Sequence, residues 1–348
     1  MSKKSLVVLF KTVAPLALGA YLFWLFFSSM TEDDLASFKK AFSEANYFWV
    51  VLSLVLAYVA LWSRATRWKY MLEALDYKTP YSNRYHAIMI GYLVNFTIPR
   101  AGEASRAAML YRSDGVPFSK SFGTIIGERV FDLIMLGSVT GLAMLVGYAD
   151  LMEIFDSISN LGTPAESTDG VSTKQMILIL LGALFLCVVV LIIWKKGLRD
   201  KLIHFVKDVI HGALSIFKSK NPGGFIAHTL LIWLCYIGMF AVPFYALPET
   251  SHFPMSGLLI GFIAGSVGIT LTNGGLGVYP ILVGLVVAFY IKGDYPDDAE
   301  GIGKALGMLM WISQTLFMVI LGLVSLALLP KNYTKENDTT RESSEQNS

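Results

Sequence analysis

The chain has 348 residues, of which 54% are apolar and only 16% charged, with 28 Lys and Arg against 26 Asp and Glu. A water-soluble domain carries about a quarter charged residues, so this composition leaves no room for a sizeable soluble domain. The net charge of +2, with no basic stripe interleaved by aromatics, argues against nucleic acid as a partner.

The N-terminus opens with Lys3 and Lys4 before an apolar run to Phe27. Lys11 interrupts that run and no small-residue cleavage site follows, which predicts a retained span over 12–28 rather than a cleaved signal. An acidic loop, 29–46, leads to a second span at 47–63 and then to a basic loop, 64–84, holding Arg64, Arg67, Lys69, Lys78 and Arg84. The apolar segment 86–98 is too short to cross a hydrocarbon core, which takes roughly 17–25 residues. Pro99 and Gly102 then break the helix, and a charged arm over 103–112 follows.

The next span, 123–147, opens with the string Gly127-Glu128-Arg129-Val130-Phe131-Asp132. An acid-rich loop, 148–175, precedes a span at 177–194 and a loop, 195–220, with seven Lys or Arg. Within that loop the apolar residues of 198–218 fall on one side, as in a helix lying in the membrane interface; His204 and His211 sit on it. A span at 225–247 comes next. Segment 255–291 is too long for one helix and is broken by Thr272-Asn273-Gly274-Gly275-Leu276-Gly277. An acid-rich loop, 292–304, and a last span, 305–329, complete the series. The tail 331–348 is polar and expected to be disordered.

Lys and Arg gather on the cytoplasmic side of membrane proteins. Placing the basic loops there puts both termini in the cytoplasm. Loops 64–84 and 100–120 then lie on the same side, so 86–112 must enter the membrane and return, and its charged arm is tolerable only against protein or a wet cavity. By the same logic 255–291 is a second hairpin of opposite orientation. The expected fold is an all-α integral membrane protein of about six full spans and two oppositely oriented re-entrant hairpins. It forms a single transmembrane domain over 1–330, whose halves, about 47–147 and 225–329, form an inverted repeat. Interrupted helices at matching positions of inverted halves point to a transport site near the midplane.

Cys187 and Cys235 lie in separate apolar runs without a CxxC, and the five histidines show no ligand spacing, so neither a disulfide framework, a metal nor a cofactor is expected. The chemistry concentrates in two strings, Arg100 with Glu103 and Arg106, and Glu128, Arg129 and Asp132, to which Arg64 and Arg67 add a pair. Spacings of three and four put Glu103 with Arg106, and Glu128 with Asp132, on shared helix faces. These eight residues comprise five arginines and three acids. Buried charge is costly unless paired, so the surplus favours an anionic guest such as a phosphate head group, which Arg grips bidentately. The alternative is structural: Glu103–Arg129 or Arg106–Asp132 bridges would lock the hairpin to its neighbour, with spare arginines reaching lipid phosphates. In the second hairpin Asn273, Gly274, Gly275 and Gly277 allow a tight turn, and N–H groups at the helix start near Val278 offer anion donors. A tight turn needs those glycines in either case. Gln314 is a lone polar group that could equally pair with a neighbouring helix.

Asn95-Phe-Thr-Ile-Pro-Arg-Ala-Gly-Glu-Ala-Ser-Arg106, then Glu128-Arg129 with Asp132, then Asn273-Gly-Gly-Leu-Gly277, resemble the flippase-like membrane family named for the transmembrane region of lysylphosphatidylglycerol synthase. The resemblance spans about residues 6–329. It implies a multi-pass bacterial inner-membrane protein that moves lipids or lipid-like molecules between leaflets, with Glu103, Arg106, Glu128, Arg129 and Asp132 as functional positions. The soluble aminoacyl-transferase domain of the full synthase is absent from this sequence, so lipid aminoacylation is not implied. Many members place a Glu after the second Gly-rich turn, where this chain has Tyr279-Pro280. The leading expectation is a flippase of an anionic phospholipid or lipid-like substrate. A non-catalytic membrane subunit or scaffold of an envelope lipid or glycan enzyme is the alternative, with a lipid transferase third. Membrane lipids are the expected partners, with self-association or an envelope enzyme left open.

Overall fold

A computed structural model describes residues 32–98, 100–160 and 221–329, together with Tyr21, Trp24 and Ser28. The remainder of the expected span at 12–28, the span at 177–194 with Cys187, the amphipathic stretch 198–218 with its two histidines, and the tail 331–348 lie outside the described residues.

The described elements are helices: α1 (Glu32–Glu44), α2 (Tyr47–Glu73), α3 (Tyr81–Thr97), α4 (Gly102–Asp114), α5 (Phe118–Asn160), α6 (Pro222–Ala241), α7 (Met255–Leu271), α8 (Val278–Ile291) and α9 (Ala299–Leu328). Four of them are long and apolar enough to cross a membrane: Tyr47–Glu73, Phe118–Ile154, Ala299–Leu328, and α6 with its 3-10 extension as Pro222–Ala246. They coincide with the expected spans at 47–63, 123–147, 225–247 and 305–329. Between them, α3 with α4 and α7 with α8 form two shorter helix–turn–helix units, so the order span, hairpin, span occurs twice.

The element ends follow from local chemistry. The Asn46 side chain caps α2 by accepting from the Phe48 N–H at 3.1 Å, one of the orphan donors of a helix start. Ile98 precedes Pro99, which disfavours helical backbone; it is extended (φ −126°, ψ 113°) and closes α3. Gly115 closes α4 in the left-handed region (φ 71°), where the missing Cβ removes the steric penalty.

Three expected loops need correction, among them the acid-rich loop 148–175, into which α5 continues as far as Asn160. The basic stretch 64–84 is a loop only over 74–80: α2 runs on to Glu73 and α3 begins at Tyr81. Its inner face continues as Leu61, Ala65, Trp68, Met71 and Leu72, all almost fully buried, at the three- and four-residue spacing of one helix face. Arg64 and Arg67 share that buried face because partners neutralise them. The acidic loop 29–46 likewise contains α1, which packs Phe38, Phe42 and Ala41 on the core. Ser37 hydrogen-bonds Asp298 at the start of α9.

α9 packs along α8 and α3 and also touches α1, while α2 runs beside α6. Glycines permit the closest approaches. A Cβ on Gly303 would lie 2.4 Å from the Gly284 carbonyl oxygen, and one on Gly307 would lie 2.7 Å from that of Pro280. Lipid supplies no hydrophobic drive between helices, so close van der Waals contact of this kind holds them together. Gly303→Ala should therefore destabilise the protein by about 1–3 kcal/mol through overpacking. Gly293→Ala, where an added Cβ meets nothing within 4 Å, should leave stability unchanged. Thermal unfolding of both variants in one detergent checks the contrast.

Candidate functional site

The charged strings converge where α2, α3, α4, α5 and α6 meet. α2 carries Arg64 and Arg67 three residues apart, close to one face, and α5 presents Glu128 and Asp132 one turn apart opposite them. Arg67 is fully buried. It grips Asp132 with both terminal nitrogens, Nη1 to Oδ1 at 2.8 Å and Nη2 to Oδ2 at 3.3 Å. It also donates to Thr229 of α6 at 3.3 Å and lies 3.9 Å from Glu128. The ring of Phe225 sits 5.4 Å from its guanidinium.

Arg106 of α4 makes the second fork. Its Nη1 and Nη2 donate to Glu128 Oε2 and Oε1 at 2.8 and 3.2 Å, with the Trp68 ring 3.6 Å beneath the guanidinium. That ring is fixed in turn by its Nε1–H, which donates to Thr124 at 2.8 Å. Arg129 donates to Glu103 at 2.6 Å in a half-exposed pair. The sequence expected either Glu103–Arg129 or Arg106–Asp132 bridges. The first is present, whereas Arg106 takes Glu128 and leaves Asp132 to α2, because the extended helix brings Arg67 to its carboxylate.

Arg64 is bound differently. It is buried, yet its close partners are neutral: the phenol oxygens of Tyr92 at 2.7 Å and Tyr236 at 3.2 Å. The nearest acid is Asp132 at 3.5 Å, already gripped by Arg67. Within the buried set, Arg64, Arg67 and Arg106 thus face only Glu128 and Asp132. The Nε–H groups of Arg67 and Arg106 also find no acceptor among the described residues, an uncommon state for buried donors.

Beside this network lies an open cleft of about 260 Å³ lined by Arg64, Ile88, Gly91, Tyr92, Asn95, Gly102, Glu103, Arg106 and Arg129. Its wall is the crossing of α3 and α4. A Cβ on Gly102 would come within 2.4 Å of the Gly91 carbonyl oxygen and of Asn95 Nδ2, and the Gly102 N–H donates to Asn95 Oδ1 at 2.7 Å. Three arginines against the one carboxylate of Glu103, with the Asn95 amide, the Tyr92 phenol and close backbone, make a setting for an anionic oxygen group.

The structure therefore brings together Arg64, Arg67, Glu103, Arg106, Glu128, Arg129 and Asp132. Arg100 stands apart on the turn between α3 and α4, exposed and at φ 58°. Gly274, Gly275 and Gly277 all have positive φ and form the turn between α7 and α8. That turn does not line the cleft but meets the first hairpin near its tip: a Cβ on Gly274 would fall 2.3 Å from the Phe96 ring, and Trp311 Nε1 donates to the Gly274 carbonyl at 2.8 Å. The side chain of Asn273 lies outside the described residues. Gln314 reaches Ser53 of α2 at 3.4 Å. Sequence reasoning missed Tyr92, Tyr236 and Thr229 as partners, since isolated hydroxyls in apolar helices carry no spacing signal.

A family model described as the lysylphosphatidylglycerol synthase TM region matches residues 12–299. The chain belongs to this family. A UPF0104 membrane protein of Methanocaldococcus jannaschii is 24% identical over 38% of this chain and 37% of its own length. The glycosyltransferase AglD of Haloferax volcanii is 31% identical over 33% of this chain and 18% of its own. The matched stretches thus span well under half of either relative. No solved structure matches.

Removing one member of the buried network strands its partner, which costs about 3–5 kcal/mol. Arg106→Ala should destabilise the protein by that order, because Glu128, fully buried, keeps only Arg67 at 3.9 Å. The double variant Arg106→Met with Glu128→Gln should recover much of the loss. Arg129→Gln, in a half-exposed pair, should cost no more than about 1 kcal/mol. Unfolding curves of the three variants in detergent give the comparison.

Proposed function

We propose that the protein moves an anionic phospholipid or lipid-like molecule between membrane leaflets, and that the cleft between α3, α4 and α5 receives its head group. The observation that carries the reading is the excess of buried arginine. A buried cation without a full counter-charge costs several kcal/mol. A phosphate between Arg64, Arg106 and Arg129 would offset that cost with charge-assisted, bidentate contacts. Arg100 adds a further exposed cation on the turn between α3 and α4, at a backbone conformation that glycine adopts without strain and arginine does not. The basic segments support a cytoplasmic orientation for this end of the molecule, and in a bacterium the membrane would be the inner one. Two helical hairpins of opposite orientation, touching at their turns, suit alternating access about a fixed site.

A second reading is favoured by one comparison. The stretch shared with AglD is a minor part of a longer protein named as a glycosyltransferase. On that reading this chain is a membrane module serving a lipid or glycan-synthesis enzyme, and its arginines hold that enzyme's lipid substrate without carrying it across.

Proteoliposomes separate the two. Wild-type protein should accelerate transbilayer movement of labelled phosphatidylglycerol over protein-free vesicles, with phosphatidylcholine moving more slowly. Arg129→Gln with Arg100→Gln should lower the rate about tenfold or more, the equivalent of roughly 1.4 kcal/mol of lost head-group contact. Equal movement of both lipids would overturn the anionic head-group reading. Binding of phosphatidylglycerol without any movement would favour the membrane-module reading.

A further inference from the structure

The described part of the molecule has a second, larger concavity. A groove of about 700 Å³ runs between the far part of α5 and the second hairpin, lined among others by Ala143, Met144, Ile260, Ala264, Leu282 and Leu285. Its lining includes one polar side chain, Thr140, whose hydroxyl already donates to the Leu136 carbonyl at 2.9 Å and so leaves its methyl to the groove. Nothing in this lining would hold a head group.

The groove and the charged cleft share one helix face. From Arg129 in the cleft, Leu133, Leu136, Thr140 and Ala143 follow at steps of four, three, four and three, the spacing of a continuous stripe on a helix. Leu133 in that stripe is 68% exposed and Leu136 is partly buried against the core, so the stripe between the two concavities is apolar and accessible at Leu133. At 1.5 Å per residue the distance from Arg129 to Thr140 is about 16 Å. That is close to the thickness of one hydrocarbon leaflet, half of roughly 30 Å. A lipid whose head group sits at Arg129 would therefore bring the end of an ordinary acyl chain to the mouth of the groove. Beyond it α5 kinks at Gly147 (φ −130°, ψ 33°), and a Cβ there would press on Ile260 and Ser256 at 3.0 Å. Past the kink the groove continues along Leu151 and Ile154, and this end of α5 is tied down by Tyr290, whose hydroxyl donates to Asp150 at 2.5 Å and lies 3.2 Å from the Ser256 hydroxyl.

From this alignment we infer that the groove is the acyl-chain site of the same lipid whose anionic head group occupies the cleft, so that the protein reads chain length as well as charge. The inference rests on the head-group reading above. It separates a selected lipid from ordinary bilayer contact, because only a molecule anchored at the arginines has its chain end delivered to this groove.

The test uses the full chain in detergent micelles with two long-chain photoprobes, phosphatidic acid and phosphatidylcholine, each carrying a diazirine at one chain terminus. The phosphatidic acid probe should label peptides containing 140–144 and 260–264 severalfold more than the phosphatidylcholine probe does. Short-chain phosphatidic acid should displace it only at much higher concentration than the long-chain form. Ala264→Trp, which fills the groove, should abolish the labelling there and make long and short chains compete equally. Equal labelling by both probes would overturn the inference. Head-group-dependent displacement with label outside the groove would overturn it while leaving the cleft reading intact. Absence of any head-group dependence would overturn both. Should Ala264→Trp fail to fold, the probe comparison on wild-type protein decides alone.

Discussion

The constraint on which this structure depends is the burial of the Arg67 guanidinium. A charged side chain at membrane depth is tolerated only when partners replace its hydration. Arg67 meets that demand with Asp132 from α5 and Thr229 from α6, so three helices distant in sequence are fixed by one side chain. Asp132 then lies 3.5 Å from Arg64, and Glu128 one turn away takes Arg106. The position of the first hairpin against α5 follows from that last pair. Isolated buried ion pairs add little net stability over apolar packing. What a network like this one fixes is which partner each helix takes.

The hairpins answer the other demand of an apolar solvent, that no backbone polar group be left unpaired. In the first, one helix closes at Ile98 and the next starts at Gly102, whose N–H is satisfied by Asn95. In the second, three positive-φ glycines turn the chain, and Trp311 satisfies the Gly274 carbonyl. The Phe96 ring then fits where a side chain at position 274 would be. The glycine turn thus has a packing role that neither its composition nor its spacing announces. It couples the tips of the two hairpins mechanically.

Much of this was legible in the sequence. The four described spans, both interrupted segments and the convergence of Arg106, Glu128, Arg129 and Asp132 could be read from hydropathy, Pro–Gly breaks and helical spacing. Arg64 and Arg67 were misplaced in a loop, because a charge-based boundary rule treats arginine as the end of a span, whereas paired arginines let the helix continue inside the protein. The pairing itself was not legible. Glu128 and Asp132 are equivalent on a helical wheel, and only the relative height of α2 and α4 against α5 decides which arginine each receives. Tyr92 and Tyr236 were invisible for a related reason: a phenol in an apolar helix looks like packing until a guanidinium is seen beside it.

The network also divides its arginines by how readily each can meet a ligand. Arg67 and Arg106 are held in two-point forks with buried carboxylates, and pulling either away would strand a charge in low dielectric. Arg129 pairs with Glu103 at a half-exposed position, where an ion pair is worth at most about 1 kcal/mol and a phosphate can compete for it. Arg64 lies against two phenols and only shares Asp132, 3.5 Å away, with Arg67, so it is the least firmly paired of the buried arginines. A carrier of the kind proposed must release what it binds, and a site made only of forks would be too rigid to take a head group in. One built only of exposed pairs would leave nothing to hold the hairpin in place. The forks therefore set the geometry, and on the proposed reading Arg64 with Arg129 would be the arginines that a head group engages.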